Sequence, residues 1–105
     1  MTFVIDTGPA PRVTLPARYA DLSPAQRRAA REQYAREQGG LCRHCKAPLS
    51  GPPDARAARL RIKRSLFPTS FFQHPVHLHH SHETGLTIGA VHNHCNAVLW
   101  QYHGE

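Results

Sequence analysis

The chain has 105 residues, with 13 Lys or Arg, 7 Asp or Glu and 9 His, and a formal net charge of +6. A chain of this length forms one domain at most, and its positive charge indicates a polyanionic partner such as nucleic acid. No apolar run is long enough to cross a bilayer and no charged-then-apolar leader opens the chain, which argues against a membrane protein and predicts a soluble, cytoplasmic one.

Nine prolines and seven glycines leave room for only a few regular elements. Residues 1–22 are rich in Pro and Gly and are predicted to form an extended N-terminal arm. Residues 23–105 are predicted to form a single domain. A domain this small and rich in loops often needs a disulfide or a structural metal to hold it together.

The first predicted helix follows the arm. Ser23 is a good N-cap residue and Pro24 suits the first helical turn. The residues from Ala25 to Gln38 are strong helix formers, and the two glycines that follow end the run.

Every Lys and Arg lies between Arg12 and Arg64. This segregation favours a nucleic-acid contact in the first two thirds of the chain, and a solvated cationic surface is the alternative. Residues 55–64, a short helix or an ordered basic loop, are the most basic segment. The predicted DNA contacts are Arg27, Arg31, Arg56, Arg59, Arg61, Lys63 and Arg64.

The last third has a different composition. Leu66 to Phe72 supplies aromatic rings that are predicted to cover the core, with stacking on bases as the alternative. Val76 to His80 alternates as a strand does, and Thr87 to Val91 is a β-branched second strand. Asn93 to Tyr102 is predicted to form a short final helix, so the order is hairpin and then helix.

A Cys-x-x-Cys at positions 42–45 and a His-x-x-Cys at positions 92–95 have the same two-residue gap. Three cysteines cannot all pair internally, so the spacing favours metal over disulfides and a reducing compartment. Tetrahedral zinc accepts three thiolates and one imidazole. His44 and His94 are alternative fourth ligands. The predicted structural zinc ligands, in segments 41–46 and 92–95, are Cys42, Cys45, His92 and Cys95.

A hairpin packed on the final helix would bring His79, His80 and Asn96 together. These three belong to one motif, which reads His79-His80-Ser81-His82-Glu83-Thr84-Gly85, then Gly89, then His92-x-x-Cys95-Asn96-Ala97-x-Leu99. In this motif the chain resembles the HNH (ββα-metal) endonucleases, most closely the recombination endonuclease VII branch, over about residues 41–100. The resemblance implies a small α+β, zinc-stapled ββα-metal (His-Me finger) fold, with its ββα core at residues 75–102 and an added N-terminal helix.

The resemblance also implies roles. His80 would be the general base, His82 would assist at the phosphate, and His79 with Asn96 would bind the catalytic divalent metal. The activity would be hydrolysis of DNA phosphodiester bonds, leaving 3′-hydroxyl and 5′-phosphate ends. Whether one or both strands are cut would depend on whether a homodimer forms.

Two departures from the family pattern affect the expected chemistry. His79 stands at the family's Asp position, and a neutral, softer ligand favours Mn²⁺, Co²⁺ or Ni²⁺ over Mg²⁺. Ile88 stands at the family's Arg position, so His82 or a residue from elsewhere must meet the charge on the phosphate. The alternative functions are a zinc-stapled nucleic-acid-binding module without catalysis and a regulatory metal sensor.

Overall fold

A computed structural model of the chain describes residues 12–104, which form a small α+β domain. The predicted fold class is therefore confirmed at the level of α+β. Residues 1–11, which belong to the predicted N-terminal arm, and Glu105 lie outside the described residues. The helices and strands in chain order are α1 (Pro24–Glu37), α2 (Ala55–Ala58), β1 (Val76–His80), β2 (Thr87–His92) and α3 (Asn93–His103).

Helix α1 begins at Pro24, as its sequence predicts, and ends at Glu37, one residue before the predicted end at Gln38. Ser23 and Gln26 form a capping box, in which the Gln26 backbone N–H donates to the Ser23 hydroxyl and the Ser23 N–H donates to the Gln26 side chain. The chain after the helix turns through Gly39 and Gly40, which both have positive φ. The helix buries two small side chains, Ala29 and Ala30, so it packs closely on the domain.

Strands β1 and β2 form an antiparallel hairpin. The predicted bounds of β1 are confirmed, and β2 extends one residue beyond its prediction. The register shifts between His79, which pairs with Gly89, and His80, which pairs with Thr87. A shift of this kind changes the direction of side chains along a strand. Two consecutive histidines therefore do not simply alternate across a regular sheet.

Residues 12–22 pack along the hairpin. Val13 and Leu22 are buried in a cluster with Leu78 of β1. Ala17 exchanges hydrogen bonds with Thr87: the Thr87 N–H donates to the Ala17 carbonyl at 2.8 Å, and the Ala17 N–H donates to Thr87 Oγ1 at 3.0 Å. The Tyr19 N–H donates to the Gly85 carbonyl at 2.9 Å. The described part of the predicted arm thus packs on the domain and includes a short 3-10 helix at Tyr19–Asp21.

A second buried cluster includes two of the three cysteines, Cys42 and Cys95. It joins the turn at Cys42 to Val91 of β2 and Cys95 of α3. The aromatic segment before β1 is half-buried, and Phe71 contacts Phe67 and Phe72 at ring-centroid distances of 4.7 and 4.9 Å. Within residues 12–104, no helix is both long and apolar enough to span a membrane.

Candidate metal centres and the adjoining cavity

The four predicted zinc ligands come together. One ligand atom from each of Cys42, Cys45, His92 and Cys95 lies within 4.8 Å of all the others. His92 Nδ1 is 3.4 Å from Cys45 Sγ and 3.7 Å from Cys95 Sγ. Zinc–ligand bonds of tetrahedral sites place neighbouring ligand atoms about 3.5–3.8 Å apart. The cluster is therefore a Cys3His set of the size that holds a zinc ion.

Local backbone structure orients each ligand. The chain reverses after Cys45 through Lys46, which has a φ of 68°. The Cys45 N–H lies 3.5 Å from Cys42 Sγ, an N–H···S contact typical of a thiolate turn. His92 Nε2 donates to the Pro48 carbonyl at 2.9 Å, which leaves the Nδ1 lone pair facing the sulfurs.

Electrostatics in the cluster favour a cation. A hydrogen bond from Cys95 lowers the pKa of the Cys42 thiol to about 4. The same hydrogen bond, followed by burial, raises the pKa of Cys95. One ionised sulfur thus opposes ionisation of its neighbour, and a divalent ion among them removes that conflict.

The alternative zinc ligands have other partners. His94 Nε2 lies 2.8 Å from the Ala57 carbonyl, a contact that joins α3 to α2. The His44 ring faces His103 at a centroid distance of 6.3 Å. Neither histidine belongs to the four-residue cluster, whose imidazole is that of His92, as the equal gaps predicted.

The two predicted catalytic-metal ligands, His79 and Asn96, are in contact. His79 Nδ1 is 3.2 Å from Asn96 Oδ1, which joins the end of β1 to the first turn of α3. Two ligand atoms at right angles around one octahedral divalent ion lie about 3.0 Å apart. An imidazole nitrogen and an amide oxygen at this separation fit such an ion.

His77 was not predicted as a site residue, yet it completes this group. Asn96 Nδ2 donates to His77 Nδ1 at 3.0 Å, so the amide lies between two imidazoles. Strand alternation puts His77 and His79 on the same face of β1, and this period of two was the available signal. Burial is the main cause that lowers the pKa of His77, which keeps the ring neutral and able to accept.

His80 lies beside this group in a cavity of about 340 Å³ that Asn96 also lines. Its ring stacks on Tyr19 with centroids 3.9 Å apart and planes 12° apart. Burial first, and then the nearby charges of His82, His79 and Arg27, lower the pKa of His80. His79 lines a separate cavity, so the predicted trio meets through Asn96 rather than around one open space.

His82 stands at the rim of the cavity. Trp100 Nε1 donates to His82 Nε2 at 3.1 Å, and the His82 ring is edge-on to His80 with centroids 5.0 Å apart. Trp100 is 48% exposed, so both groups are open to a ligand in the cavity.

The charged and titratable groups that line the cavity, beside its aromatic and aliphatic side chains, are two arginines, four imidazoles and the Tyr19 phenol. Arg27 and Arg31 of α1 reach it, and no Asp or Glu is among its lining residues in the described part of the chain. A cleft with one sign of charge attracts the opposite sign, so this cavity suits an anion. The other predicted DNA contacts are exposed and do not line the cavity; they are Arg56, Arg59, Arg61, Lys63 and Arg64.

Comparisons of the chain with protein-family models, with curated proteins and with solved structures give no match. Functional assignment therefore depends on the chain's own residues. These provide a Cys3His cluster, an Asn96 amide between His77 and His79, and a cationic cavity around His80.

Proposed function

We propose that the chain is a metal-dependent HNH-type endonuclease that hydrolyses DNA phosphodiester bonds. One observation carries the proposal: His80, the Asn96 amide and two arginines line a single cavity, to which residues 12–104 contribute no carboxylate. Phosphodiester hydrolysis needs a base for the attacking water and positive charge for the phosphate. This cavity holds both kinds of group: His80 comes from the HNH-like motif, and the two arginines come from α1.

His80 is the general base of the proposed reaction. Its lowered pKa leaves the imidazole neutral near pH 7, which is the form that accepts a proton from water. Stacking on Tyr19 restricts the ring to one orientation. His80 takes a proton from the attacking water, and the water oxygen bonds to phosphorus. The bond from phosphorus to the 3′ oxygen breaks, and that oxygen takes a proton from bulk water, which leaves a 3′-hydroxyl and a 5′-phosphate.

His79 and Asn96 hold the catalytic divalent ion in this proposal. Such an ion, when bound, neutralises charge on the phosphate and the leaving oxygen. The neutral imidazole at position 79 favours Mn²⁺, Co²⁺ or Ni²⁺ over Mg²⁺. His82, held by Trp100 at the rim, contacts the phosphate from the open side of the cavity.

Zinc in the Cys3His cluster has a structural role in this proposal. It ties the Cys42–Cys45 turn to the start of α3, where Asn96 follows Cys95 directly. The bound zinc thereby fixes the position of Asn96 against β1.

The test is nicking of supercoiled plasmid with Mn²⁺ by the wild type and by His80→Ala. We expect the substitution to lower the rate about 10²- to 10⁴-fold. His103→Ala, which removes an exposed imidazole from the end of α3, is the matched control and should cut like the wild type. Equal nicking by the wild type and His80→Ala would show that His80 is not the base.

The experiment also separates the alternative functions. A zinc-stapled binding module would retain DNA in a gel shift. It would not cut the DNA with any of four divalent ions, Mg²⁺, Mn²⁺, Co²⁺ or Ni²⁺. A metal sensor would bind the ion tightly without affinity for DNA. Absence of cleavage by the wild type with all four ions would reject the nuclease proposal.

A further inference from the structure

Helix α1 sends two arginines to the cavity. Arg27 and Arg31 are four residues apart and therefore share one face of the helix. Arg27 is already engaged, because its Nη2 donates to the Tyr19 carbonyl at 3.4 Å and its guanidinium lies 4.2 Å from the centre of the Tyr19 ring. Arg27 thus helps to position Tyr19, whose ring stacks on His80.

Arg31 has no comparable protein partner. It is half-buried at the cavity, and it makes no hydrogen bond or ion pair with its side chain among residues 12–104. The one ion pair among these residues joins Arg18 and Asp21. Partly desolvating a cation without a counter-ion costs free energy, so a position of this kind is favourable when an anion fills the cavity.

The hairpin does not supply a cation to this cavity. Ile88 of β2, at the position where the HNH-like motif leads one to expect arginine, lines the neighbouring cavity with His79. The positive charge of Arg31 is near enough to His77 to contribute, after burial, to the lowered pKa of that ring. Arg31 lines the same cavity as His77 and Asn96, and it comes from α1 rather than from the hairpin or α3.

We infer that Arg31 binds the scissile phosphate and neutralises the charge that grows on its non-bridging oxygens during hydrolysis. The inference rests on the proposed nuclease activity and adds a catalytic residue to it. Arg31 donates hydrogen bonds and transfers no proton, because an arginine stays protonated throughout the reaction. The proton of the attacking water still goes to His80.

The experiment measures DNA affinity and the cleavage rate at saturating protein for wild type, Arg31→Ala, Arg31→Lys and Arg28→Ala. Arg28 is an exposed residue of the same helix that does not line the cavity, so its substitution removes the same charge from a different face. We expect Arg31→Ala to lower the saturated rate about 10²- to 10³-fold, as loss of one oxyanion donor does. Its DNA affinity should fall no more than that of Arg28→Ala.

Chemical rescue provides a readout that a merely structural role would not change. Guanidinium ion added to Arg31→Ala should restore part of the rate and should not restore His80→Ala. Zinc content and the thermal midpoint of each variant verify folding, and Arg31→Lys tests the inference if the alanine variant is unstable. That variant should remain well below wild type, because ammonium lacks the forked donors of guanidinium.

The outcomes distinguish this inference from the proposed function. If wild type cuts, His80→Ala does not, and Arg31→Ala matches Arg28→Ala in rate and affinity without rescue, the role of Arg31 is overturned while the nuclease stands. If wild type does not cut, both are overturned.

Discussion

The side chain of Asn96 has both ends of its amide committed. Nδ2 donates to His77 at 3.0 Å, and Oδ1 faces His79 at 3.2 Å. Because the amide nitrogen has an acceptor on one side, the oxygen is directed to the other side, where a metal ligand is needed. His77 is thus a positioning residue for the proposed catalytic metal.

We expect His77→Phe to weaken Mn²⁺ binding about 10- to 100-fold, the usual cost of losing a group that orients a metal ligand. Isothermal titration calorimetry of the zinc-loaded protein with Mn²⁺ measures the change in affinity. His103→Phe is the control, because His103 is an exposed histidine at the end of α3. An unchanged Mn²⁺ affinity in His77→Phe would refute the positioning role.

Individual site residues differ in how far the sequence predicted them. The members of the Cys3His cluster could be predicted, because the two ligand pairs have the same two-residue gap and each pair is visible as a local sequence motif. Tyr19 gave no signal, because its stacking on His80 joins residues 61 positions apart through a tertiary contact. Arg31 was predicted as a general DNA contact, and its place in the cavity depends on how α1 packs on the hairpin.

At the scale of elements, the outer edge of β2 is held by a side chain. Gln38 pairs with the backbone of Ala90 in both directions: the Ala90 N–H donates to Oε1 at 2.9 Å, and Nε2 donates to the Ala90 carbonyl at 2.9 Å. Nε2 also donates to the Leu41 carbonyl at 2.7 Å. Gln38 thereby connects the end of α1, the zinc turn and the hairpin.

Gly89 leaves room for this connection, and we expect Gly89→Ala to destabilise the fold by about 1–3 kcal/mol through overpacking. A Cβ at position 89 would lie 2.5 Å from Arg43 Cδ and 2.7 Å from Gln38 Oε1. The arginine can move, but the glutamine is pinned by its backbone partners. Urea unfolding of the zinc-loaded protein measures the cost.

Gly51→Ala is the matched control for this substitution. The nearest atom to a Cβ there is the Pro48 carbonyl oxygen at 4.0 Å, so the added methyl group meets no crowding. Equal free energies of unfolding for the two variants would contradict the packing argument.

The regular elements were predictable because their signals are local. Alternation in β1 and the capping box of α1 each act within a few residues. The pairing of Ala17 with Thr87 was not predictable, because these residues are 70 positions apart and Ala17 takes part through its backbone N–H and carbonyl, which give no sequence signal. A Pro-rich segment therefore suggested an arm where the chain packs on the hairpin.

At the scale of the whole molecule, the zinc cluster links parts of the chain that are distant in sequence. We expect zinc removal by a strong chelator to abolish cooperative thermal unfolding, because a domain with a core this small needs the bound metal to stay folded. Circular dichroism with and without restored Zn²⁺ measures the effect. Cys45→Ala should behave like the stripped protein, whereas His44→Ala should keep one zinc per chain. A stripped chain with an unchanged thermal midpoint would contradict this role.

The exposed basic residues determine the expected salt dependence of DNA binding. Each phosphate contact contributes about −0.9 to the slope of log affinity against log salt. We expect Arg59→Ala, which removes one exposed charge, to reduce the magnitude of that slope by about 0.9 and to leave the saturated cleavage rate unchanged. Fluorescence anisotropy across a salt series measures the slope. A slope equal to that of the wild type would exclude Arg59 from the interface.

The long separation between the halves of the zinc cluster also affects biosynthesis. Cys45 and His92 are 47 positions apart, and Asn96 follows the last ligand, Cys95. A ribosome therefore delivers the first two thiols well before their partners exist. An unfinished polypeptide that ends before His92 has neither a complete Cys3His cluster nor the Asn96 amide that contacts His79, so we expect nascent copies of the proposed nuclease to cleave nothing before synthesis passes Asn96.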